Sequence, residues 1–230
     1  MFNLVNFQPR EYQLSILETC KNNNTLVVLP TGTGKTALAL LLSLERLNKF
    51  PGSKILLISP TKPLCQQHVN TFKQHTNINE NEILLLTGII NANKRAELWQ
   101  NARVIVATPQ TIQKDLENNR INLKNFVMLC VDEAHRSRQR FANTIVTQKY
   151  FEQALNPRVL ALTASPGGTL DKIKDIMKNL NLDAVEIRSE IDKDVKPYVQ
   201  KRETEWINIE LPDKLKNLHT LIKSVYLNKA

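Results

Sequence analysis

The sequence predicts an α/β fold, in which a mainly parallel β-sheet carries helices on both faces and is followed by a short C-terminal extension. Two observations lead to this prediction. Six short runs are apolar throughout instead of alternating with polar residues, which is the pattern of strands buried on both faces of a parallel sheet. The stretches between these runs have helical periodicity, as in KTALALLLSLERL and KPLCQQHVNTFKQH, and such alternation indicates β-α-β crossovers.

The predicted strands follow one another along the first part of the chain. They cover 25–29, 54–59, 82–87, 103–108, 126–132 and 158–164. A helix at 169–179 and a short strand near 184–187 come next. After residue 187 the charge density rises and the strand–helix alternation stops, so we expect an α/β domain at 1–187 and a separate extension at 188–230. In the extension we expect an extended link, a strand around 205–210 and a helix after Pro212.

The composition is basic, and the excess charge is confined to the α/β domain. The net charge of +9 comes from residues 1–180, which hold 22 Lys and Arg against 13 Asp and Glu, whereas residues 181–230 hold nine of each. A basic domain indicates a polyanionic partner, although solvated lysines on an ordinary surface give a similar excess.

Membrane and disulfide-rich classes do not fit the sequence. The longest uninterrupted apolar run covers only 37–42, far below the roughly 20 residues of a spanning helix, and the N-terminus lacks the order of a signal peptide. We therefore expect a cytoplasmic protein with no membrane partner. Cys20, Cys65 and Cys130 are widely spaced and form no C-x-x-C pair, so we expect idle thiols and neither disulfides nor a zinc site.

Every conspicuous polar cluster follows directly after a predicted strand. The clusters are PTGTGKT, SPTKP, TG, ATPQT, DEAHR and TASPG. Because ligands bind at the carboxyl ends of parallel strands, we expect all six clusters to share one edge of the sheet.

The first cluster has the composition of a loop that binds phosphate. Gly32 and Gly34 allow backbone conformations that turn successive N–H groups around an anion, and the N-terminus of the following helix adds its positive end. Lys35 is placed to reach the β- and γ-phosphates, and the Thr36 hydroxyl can bind Mg²⁺. The strict G-x-x-x-x-G-K-[ST] pattern has a glycine where this chain has Leu29. The predicted triphosphate-binding residues are Pro30, Thr31, Gly32, Thr33, Gly34, Lys35 and Thr36.

The run MLCVDEAH supplies the acidic residues that ATP hydrolysis requires. A buried strand that ends in adjacent carboxylates can deliver Asp132 to the metal and Glu133 to a water beside the γ-phosphate, while Lys35 neutralises phosphate charge. Taken alone, the same letters also fit acidic residues at a helix N-terminus. Together with the glycine loop they predict a site for ATP and Mg²⁺.

These motifs resemble the first RecA-like domain of the superfamily-two helicases, which is a P-loop NTPase fold, and the resemblance covers residues 7–187. Within this superfamily the chain is similar to the archaeal Hef and Fanconi M group of branched-DNA helicases and translocases, whose own loop carries the leucine of LPTGTGKT. Further similar motifs are FQPREYQ, SPTKPLCQQH, ATPQTI, VDEAHR and LTASPG. DVKPYV and EWINIELP resemble the start of the helical insertion that these DNA enzymes carry.

The resemblance implies roles for individual residues. Gln13 would hydrogen-bond the adenine base, with Arg10 beside it. His135, Thr163 and Ser165 would couple hydrolysis to movement. The residues that would contact the nucleic acid are Pro60, Thr61, Lys62, Thr87, Gly88, Thr108, Pro109 and Gln110.

Backbone amides, small hydroxyls and helix N-termini suit phosphate contacts, which position a nucleic acid strand without reading its bases. We therefore expect binding that does not depend on sequence. SPTKP alone also fits an ordinary helix N-cap. The run HRSRQR at 135–140 fits either a solvated surface or part of a basic track.

The resemblance also implies that two RecA-like domains close around ATP and that the second domain contributes arginines to the site. The sequence given contains no Q-x-x-G-R-x-x-R run, which is the pattern that carries those arginines. The first hypothesis is therefore the motor half of a DNA helicase or translocase that acts on forked or branched DNA in repair or replication restart, with weak turnover unless a second domain is present. The alternatives are a stand-alone ATP-dependent nucleic-acid-binding module and an RNA-directed helicase of the same superfamily.

Overall fold

A computed structural model of the chain describes residues 1–165, 170–199, 206–209 and 212–227. The described chain contains seven strands and eight α-helices. The strands are β1 (Thr25–Val28), β2 (Lys54–Ile58), β3 (Ile83–Leu86), β4 (Val104–Ala107), β5 (Phe126–Val131), β6 (Val159–Thr163) and β7 (Ala184–Ile187). The helices are α1 (Glu11–Asn22), α2 (Lys35–Lys49), α3 (Lys62–His75), α4 (Ala92–Asn101), α5 (Pro109–Glu117), α6 (Ala142–Gln153), α7 (Leu170–Leu180) and α8 (Asp213–Leu227).

All seven strands belong to one sheet in the order β3-β4-β2-β5-β6-β1-β7, and every pairing is parallel. The predicted parallel α/β fold is therefore confirmed. Because all strands run in the same direction, their carboxyl ends lie at one edge of the sheet.

Each face of the sheet is covered by its own set of helices. Within β2, Ile55 and Leu57 pack with α1, α2 and α3, whereas Leu56 and Ile58 pack with α4 to α7 on the opposite face. Successive side chains of a strand point to opposite faces, so a strand between two helical layers must be apolar at every position. This is the physical reason for the unbroken apolar runs.

The chain divides into two compact units, Met1–Val199 and Gln200–Ala230. The first unit extends past residue 187, where the sequence placed a boundary, because residues after β7 pack against it. Val195 is fully buried in the core that α1 and α2 share, and the ring of Tyr198 lies 5.8 Å from the ring of Tyr12.

In the second unit, α8 begins directly after Pro212, as predicted, and the backbone N–H of Leu215 donates to the carbonyl of Pro212. The predicted strand around 205–210 is wrong for residues 206–209, which have no regular secondary structure. These residues are apolar enough for a strand but pair with no neighbouring strand among the described residues. Residues 205 and 210 lie outside the described ranges, as do Pro166 and Gly167 of the LTASPG motif.

Cys20, Cys65 and Cys130 are buried free thiols, and burial raises the pKa of Cys20 to about 12 and that of Cys65 to about 11. Within the described ranges, no helix combines the length and the apolar character that crossing a bilayer requires.

Candidate functional site

The described residues of the six polar clusters lie along the edge formed by the carboxyl ends of the strands, which we call the rim. Along the rim the strands follow the order β3, β4, β2, β5, β6, β1. This order separates the predicted residues into two groups. Those expected to bind the triphosphate and metal lie in the β5–β6–β1 half, and those expected to bind nucleic acid lie in the β3–β4–β2 half.

The loop between β1 and α2 is tight and depends on glycine. Gly32 and Gly34 have left-handed backbones with φ of 82° and 85°, which side chains disfavour. A Cβ atom at Gly34 would lie 2.6 Å from Nε2 of Gln13, so no other residue fits there without movement. The Thr33 hydroxyl donates to the carbonyl of Pro30 at 2.6 Å. Because α2 starts at Lys35, the positive end of the helix dipole lies at this loop.

Tyr12 and Gln13, near the start of the chain, brace this loop, and Arg10 contacts both of them. The Tyr12 hydroxyl donates to the carbonyl of Thr33, and Nε2 of Gln13 lies 3.4 Å from the carbonyls of Thr33 and Gly34. Oε1 of Gln13 accepts the backbone N–H of Arg10 at 2.9 Å, and the Arg10 guanidinium lies 4.7 Å from the centre of the Tyr198 ring. Gln13, expected to contact the adenine base, is 1% exposed and holds the loop in shape.

Lys35 lies at the junction of the loop and the acidic pair. Its ammonium donates to the carbonyls of Leu29 and Pro30 at 3.0 and 3.2 Å. Burial lowers the pKa of Lys35 below its usual value, and the negative charges of Glu133 and Asp132 oppose that shift. The three charged groups therefore lie on the same side of the molecule.

Asp132 is 8% exposed, and donors surround its carboxylate. Oδ2 accepts the Ser59 hydroxyl at 2.9 Å and Nε2 of His68 at 3.0 Å, while Oδ1 accepts the backbone N–H of Glu133 at 3.0 Å. Burial raises the pKa of Asp132. The hydrogen bond and charge of His68, together with the other two donors, lower it by more, so the net pKa is below the usual value. Asp132 is therefore an anion at neutral pH.

Glu133 begins a chain of polar contacts that crosses from β5 to β6. Its backbone is left-handed with φ of 51°, which is uncommon for a residue with a side chain. Nδ1 of His135 lies 3.3 Å from Oε2 of Glu133 and 3.1 Å from Oγ1 of Thr163. Oγ1 of Thr163 donates to the carbonyl of Ser165 at 3.1 Å and accepts its backbone N–H at 3.3 Å. The three residues expected to couple hydrolysis to movement thus form a continuous path.

The donor set at this end of the rim fits Mg²⁺. The metal prefers oxygen ligands and is usually bound by one or two carboxylates together with substrate phosphates. The anionic Asp132 lies near the loop, and the Thr36 hydroxyl makes no hydrogen bond with the described residues. Among those residues no cluster of three or more His, Cys, Asp or Glu side chains could hold a metal by itself.

The β3–β4–β2 half presents a different surface. Thr61, Lys62, Gly88 and Gln110 are exposed. By contrast, Thr87 is 5% exposed, Pro109 is buried, and the Thr108 hydroxyl lies 2.8 Å from that of Thr111. Helices α3 and α5 begin here, each with a proline in its first turn and without a side-chain hydrogen bond to the cap. Their N-termini suit phosphate contact.

A buried ion pair joins α4 to α5 behind this surface. Nε and Nη2 of Arg95 on α4 donate to the two carboxylate oxygens of Asp115 on α5, at 2.7 and 2.6 Å. Nη1 of Arg95 also donates to the carbonyl of Ile90. The pair therefore fixes the segment after Gly88 relative to the helix that starts at Pro109.

An open cavity of about 400 Å³ connects the two halves of the rim. It is lined by Pro60, Pro109, Gln110, His135, Arg136 and Arg138, together with the start of α6. Arg136, Arg138 and Arg140 are exposed, and none forms an ion pair or side-chain hydrogen bond with the residues that the structure describes. The first two of these arginines line the cavity, and the interpretation of HRSRQR as part of a basic track stays a prediction.

Sequence reasoning missed three residues of this site. Ser59 and His68 both lie inside the quoted run SPTKPLCQQH, but their bonds to Asp132 depend on β2 lying beside β5, and strand order cannot be read from the sequence. Tyr12 lies inside FQPREYQ, and its position directly before Gln13 was the available signal.

Comparisons with known proteins agree with this geometry. The sequence pattern of the DEAD/DEAH box helicase family matches residues 10–173. The chain is 42% identical to the "Putative ATP-dependent RNA helicase MJ1505" of Methanocaldococcus jannaschii over 94% of its own length and 27% of the relative. It is 36% identical to the "ATP-dependent DNA helicase MPH1" of Scheffersomyces stipitis over 94% of its own length and 21% of the relative.

A solved structure also matches. The helicase domain of Pyrococcus furiosus Hef superposes with a TM-score of 0.82 at 43% identity, covering 94% of this chain and 46% of that one. The chain thus spans about a quarter of the curated relatives named here and under half of the Hef domain. Motifs, sheet order and similarity agree, and the chain belongs to the DEAD/DEAH box helicases, with a RecA-like helicase domain of the Hef type.

Proposed function

We propose that this chain is the ATP-binding motor domain of a DNA helicase or translocase that acts on forked or branched DNA in the cytoplasm, in repair or replication restart. One observation supports it most. The rim places Lys35 beside Asp132 and Glu133 in one half, and the exposed residues Thr61 and Lys62 in the adjacent half. A motor needs ATP and nucleic acid at neighbouring positions, so that ATP hydrolysis at one site can change the affinity for nucleic acid at the other.

In the β5–β6–β1 half, the loop at 30–36 surrounds the triphosphate with backbone N–H groups and the N-terminus of α2. The Lys35 ammonium, which donates to two loop carbonyls, would donate to β- and γ-phosphate oxygens when ATP is bound, because these charged oxygens are stronger acceptors. Thr36 and Asp132 would hold Mg²⁺, and the metal, when bound, would neutralise charge on the phosphates.

Glu133 orients and deprotonates the attacking water, because its carboxylate lies next to the Asp132 ligand and within reach of His135. His135, Thr163 and Ser165 then transmit the state of the phosphate site from β5 to β6. Phosphoryl transfer also needs cations opposite the loop, and a second RecA-like domain supplies them as arginines. An arginine of this kind raises turnover by about 10³- to 10⁵-fold, so the chain alone should hydrolyse ATP slowly.

In the β3–β4–β2 half, the exposed residues at the strand ends bind the DNA backbone. Lys62 and Thr61 at the start of α3, with Gly88 and Gln110, contact phosphates, and Arg136 and Arg138 extend the positive surface along the cavity. Pro60, Thr87, Thr108 and Pro109 shape this surface. Such contacts position a strand but do not read its bases.

Residues 188–230 form the link to, and the beginning of, a helical insertion in this proposal. α8 supports this role, because its apolar side chains Leu218, Leu221, Ile222 and Val225 are between half and two-thirds exposed. A helix that carries so much exposed apolar surface suits packing against further helices.

An RNA-directed helicase remains the second candidate, since the M. jannaschii relative is named as an RNA helicase while the S. stipitis relative is named as a DNA helicase. A stand-alone ATP-dependent binding module is the third. Competition among single-stranded, duplex and forked DNA and RNA distinguishes the first two. Forked DNA is expected to compete best, and stronger competition by RNA would contradict the proposal.

The turnover rate distinguishes the motor domain from a self-sufficient enzyme. The chain alone is expected to bind Mg·ATP and to hydrolyse it slowly, and addition of a second RecA-like domain in the same polypeptide should raise the rate. DNA-stimulated hydrolysis by the chain alone at about 1 s⁻¹ or more, which is the range of complete motors, would contradict the requirement for a second domain.

A further inference from the structure

The carboxylate of Asp132 is held by donors that come from a different part of the chain. Ser59 follows β2 and His68 lies in α3, whereas Asp132 follows β5. Both side chains bind the same oxygen, Oδ2, at 2.9 and 3.0 Å. The segment 59–68 also carries Thr61 and Lys62, so the contacts to the acidic residue come from the nucleic-acid-binding motif.

The distribution of these bonds leaves one position for a further ligand. An ionised carboxylate has about four acceptor positions, two on each oxygen. Ser59 and His68 fill both positions on Oδ2, and the backbone N–H of Glu133 fills one on Oδ1. The remaining position is on Oδ1, which is the oxygen that can bind a cation.

Within the described ranges, the His68 side chain has no other polar contact. It is 5% exposed, and its Nδ1 is buried without a hydrogen-bond partner among the described residues. Because an ionised carboxylate only accepts hydrogen bonds, the proton of the pair must lie on Nε2 of His68. A buried imidazole that leaves one nitrogen unsatisfied carries a cost of about 1 to 3 kcal/mol. In the described chain, the contact with Asp132 is therefore the one hydrogen bond that the His68 ring makes.

We propose that His68 is a positioning residue for magnesium binding: it donates from Nε2 to Oδ2 of Asp132 and thereby presents Oδ1 to the metal of Mg·ATP. Ser59 shares this task from the neighbouring strand end. The inference rests on the proposed function, and it adds a residue to the magnesium site that comes from the helix whose first turn faces the nucleic acid.

Two variants of equal length separate the hydrogen bond from the packing. His68→Gln places an amide N–H near the position of Nε2, whereas His68→Met fills the same space without a donor. Binding of a fluorescent ATP analogue to the chain is measured while Mg²⁺ is titrated, and again in EDTA. Loss of an outer hydrogen bond to a metal ligand typically costs about 10- to 100-fold in metal affinity.

For His68→Met we expect the Mg²⁺ concentration at half-maximal binding to rise by about 10-fold or more, and for His68→Gln to stay within about 3-fold of wild type. Binding in EDTA should be equal in all three proteins, because no hydrogen bond joins the His68 side chain to the loop at 30–36 in the described chain. Equal Mg²⁺ requirements in both variants and the wild type would overturn the role of His68, as would equal weakening in both. A wild type with no Mg²⁺-dependent nucleotide binding would instead overturn the proposed function itself. Thermal unfolding in EDTA checks that the variants are folded.

Discussion

The two halves of the rim differ in how their side chains are held. In the β5–β6–β1 half, Gln13, Lys35, Asp132 and Thr163 are buried or half-buried, and each is hydrogen-bonded to another part of the site. In the β3–β4–β2 half, Thr61, Lys62, Gly88 and Gln110 are exposed, and the Lys62 ammonium has no partner in the described chain. Arg136 and Arg138, which follow β5 and line the cavity, have no side-chain partner among those residues either.

This difference follows from what each ligand requires. Phosphoryl transfer needs fixed positions for the metal, the water and the lysine, and buried hydrogen bonds supply that fixed geometry. A polyanion of variable sequence needs a row of positive charges and helix N-termini, and these bind without a fixed side-chain network. The β5–β6–β1 half is therefore preorganised for its ligand, whereas the cationic side chains beside the β3–β4–β2 half are unpaired in the described chain.

The Arg95–Asp115 ion pair is buried behind the β3–β4–β2 half, and breaking it should have the largest effect. Arg95→Met leaves the Asp115 carboxylate, 2% exposed, with only Arg120 at 3.4 Å. Breaking a buried pair by removing one partner typically costs about 3 to 5 kcal/mol. We expect a loss of about 3 kcal/mol in the free energy of unfolding, measured by urea denaturation.

The matched control is Arg138→Met, which removes an exposed arginine without an ion pair in the described chain and should change stability by less than about 0.5 kcal/mol. If the two variants had the same free energy of unfolding, the Arg95–Asp115 pair would not stabilise this part of the fold.

Removal of the Lys35 ammonium should have the next largest effect. Lys35→Ala is expected to weaken Mg·ATP binding by at least about 100-fold, because two or more charge-assisted bonds, each worth about 1.5 to 3 kcal/mol, are lost. Fluorescence anisotropy of a labelled ATP analogue measures this. The fold should persist, since Lys35 bonds only to carbonyls of its own loop. Unchanged ATP affinity would contradict the assignment of the loop.

Gln13 has two roles to be separated in the β5–β6–β1 half, because it braces the loop and is also expected to contact the adenine base. Gln13→Ala should reduce the preference for ATP over GTP by about 5- to 10-fold, which corresponds to one neutral hydrogen bond of about 1 kcal/mol. Competition of ATP and GTP against a labelled nucleotide gives the ratio. If both nucleotides weakened equally and the ratio held, Gln13 would act only through the loop carbonyls of Thr33 and Gly34.

The smallest effect is expected at Lys62, where one phosphate contact is lost from many. Lys62→Ala should lower the log–log slope of DNA affinity against salt by about 0.7 for a single strand and 0.9 for a duplex. Filter-binding titrations over a range of salt concentrations measure the slope. A slope identical to that of the wild type would place Lys62 away from the DNA.

The sequence predicted the fold because apolar runs and glycine loops are local signals. All seven strands were predicted in this way, together with the common edge at which they end, whereas the roles of the residues in each cluster stay predictions. What depends on strand order was not predictable. The contact of His68 with Asp132 exists because β2 lies beside β5, and the bracing of the loop by Tyr12 exists because α1 packs on α2.

In the C-terminal part, a local sequence pattern predicted a strand that does not form. The run EWINIELP has the alternating pattern of a strand, but residues 206–209 form none, because a strand requires a neighbour to receive its hydrogen bonds. Val195 and Tyr198 extend the first unit to Val199, since a charge-rich segment can still contribute single apolar side chains to a core.

The most direct test of the separation between the halves is a crossed measurement on Lys35→Ala and Lys62→Ala, in which the affinities for Mg·ATP and for forked DNA are each determined without the other ligand. The account predicts that Lys35→Ala loses ATP binding and keeps its DNA affinity, and that Lys62→Ala keeps ATP binding and binds DNA with a lower salt slope. If a folded variant lost both ligands together, or if neither variant changed either affinity, the assignment of the two halves to two ligands would be contradicted.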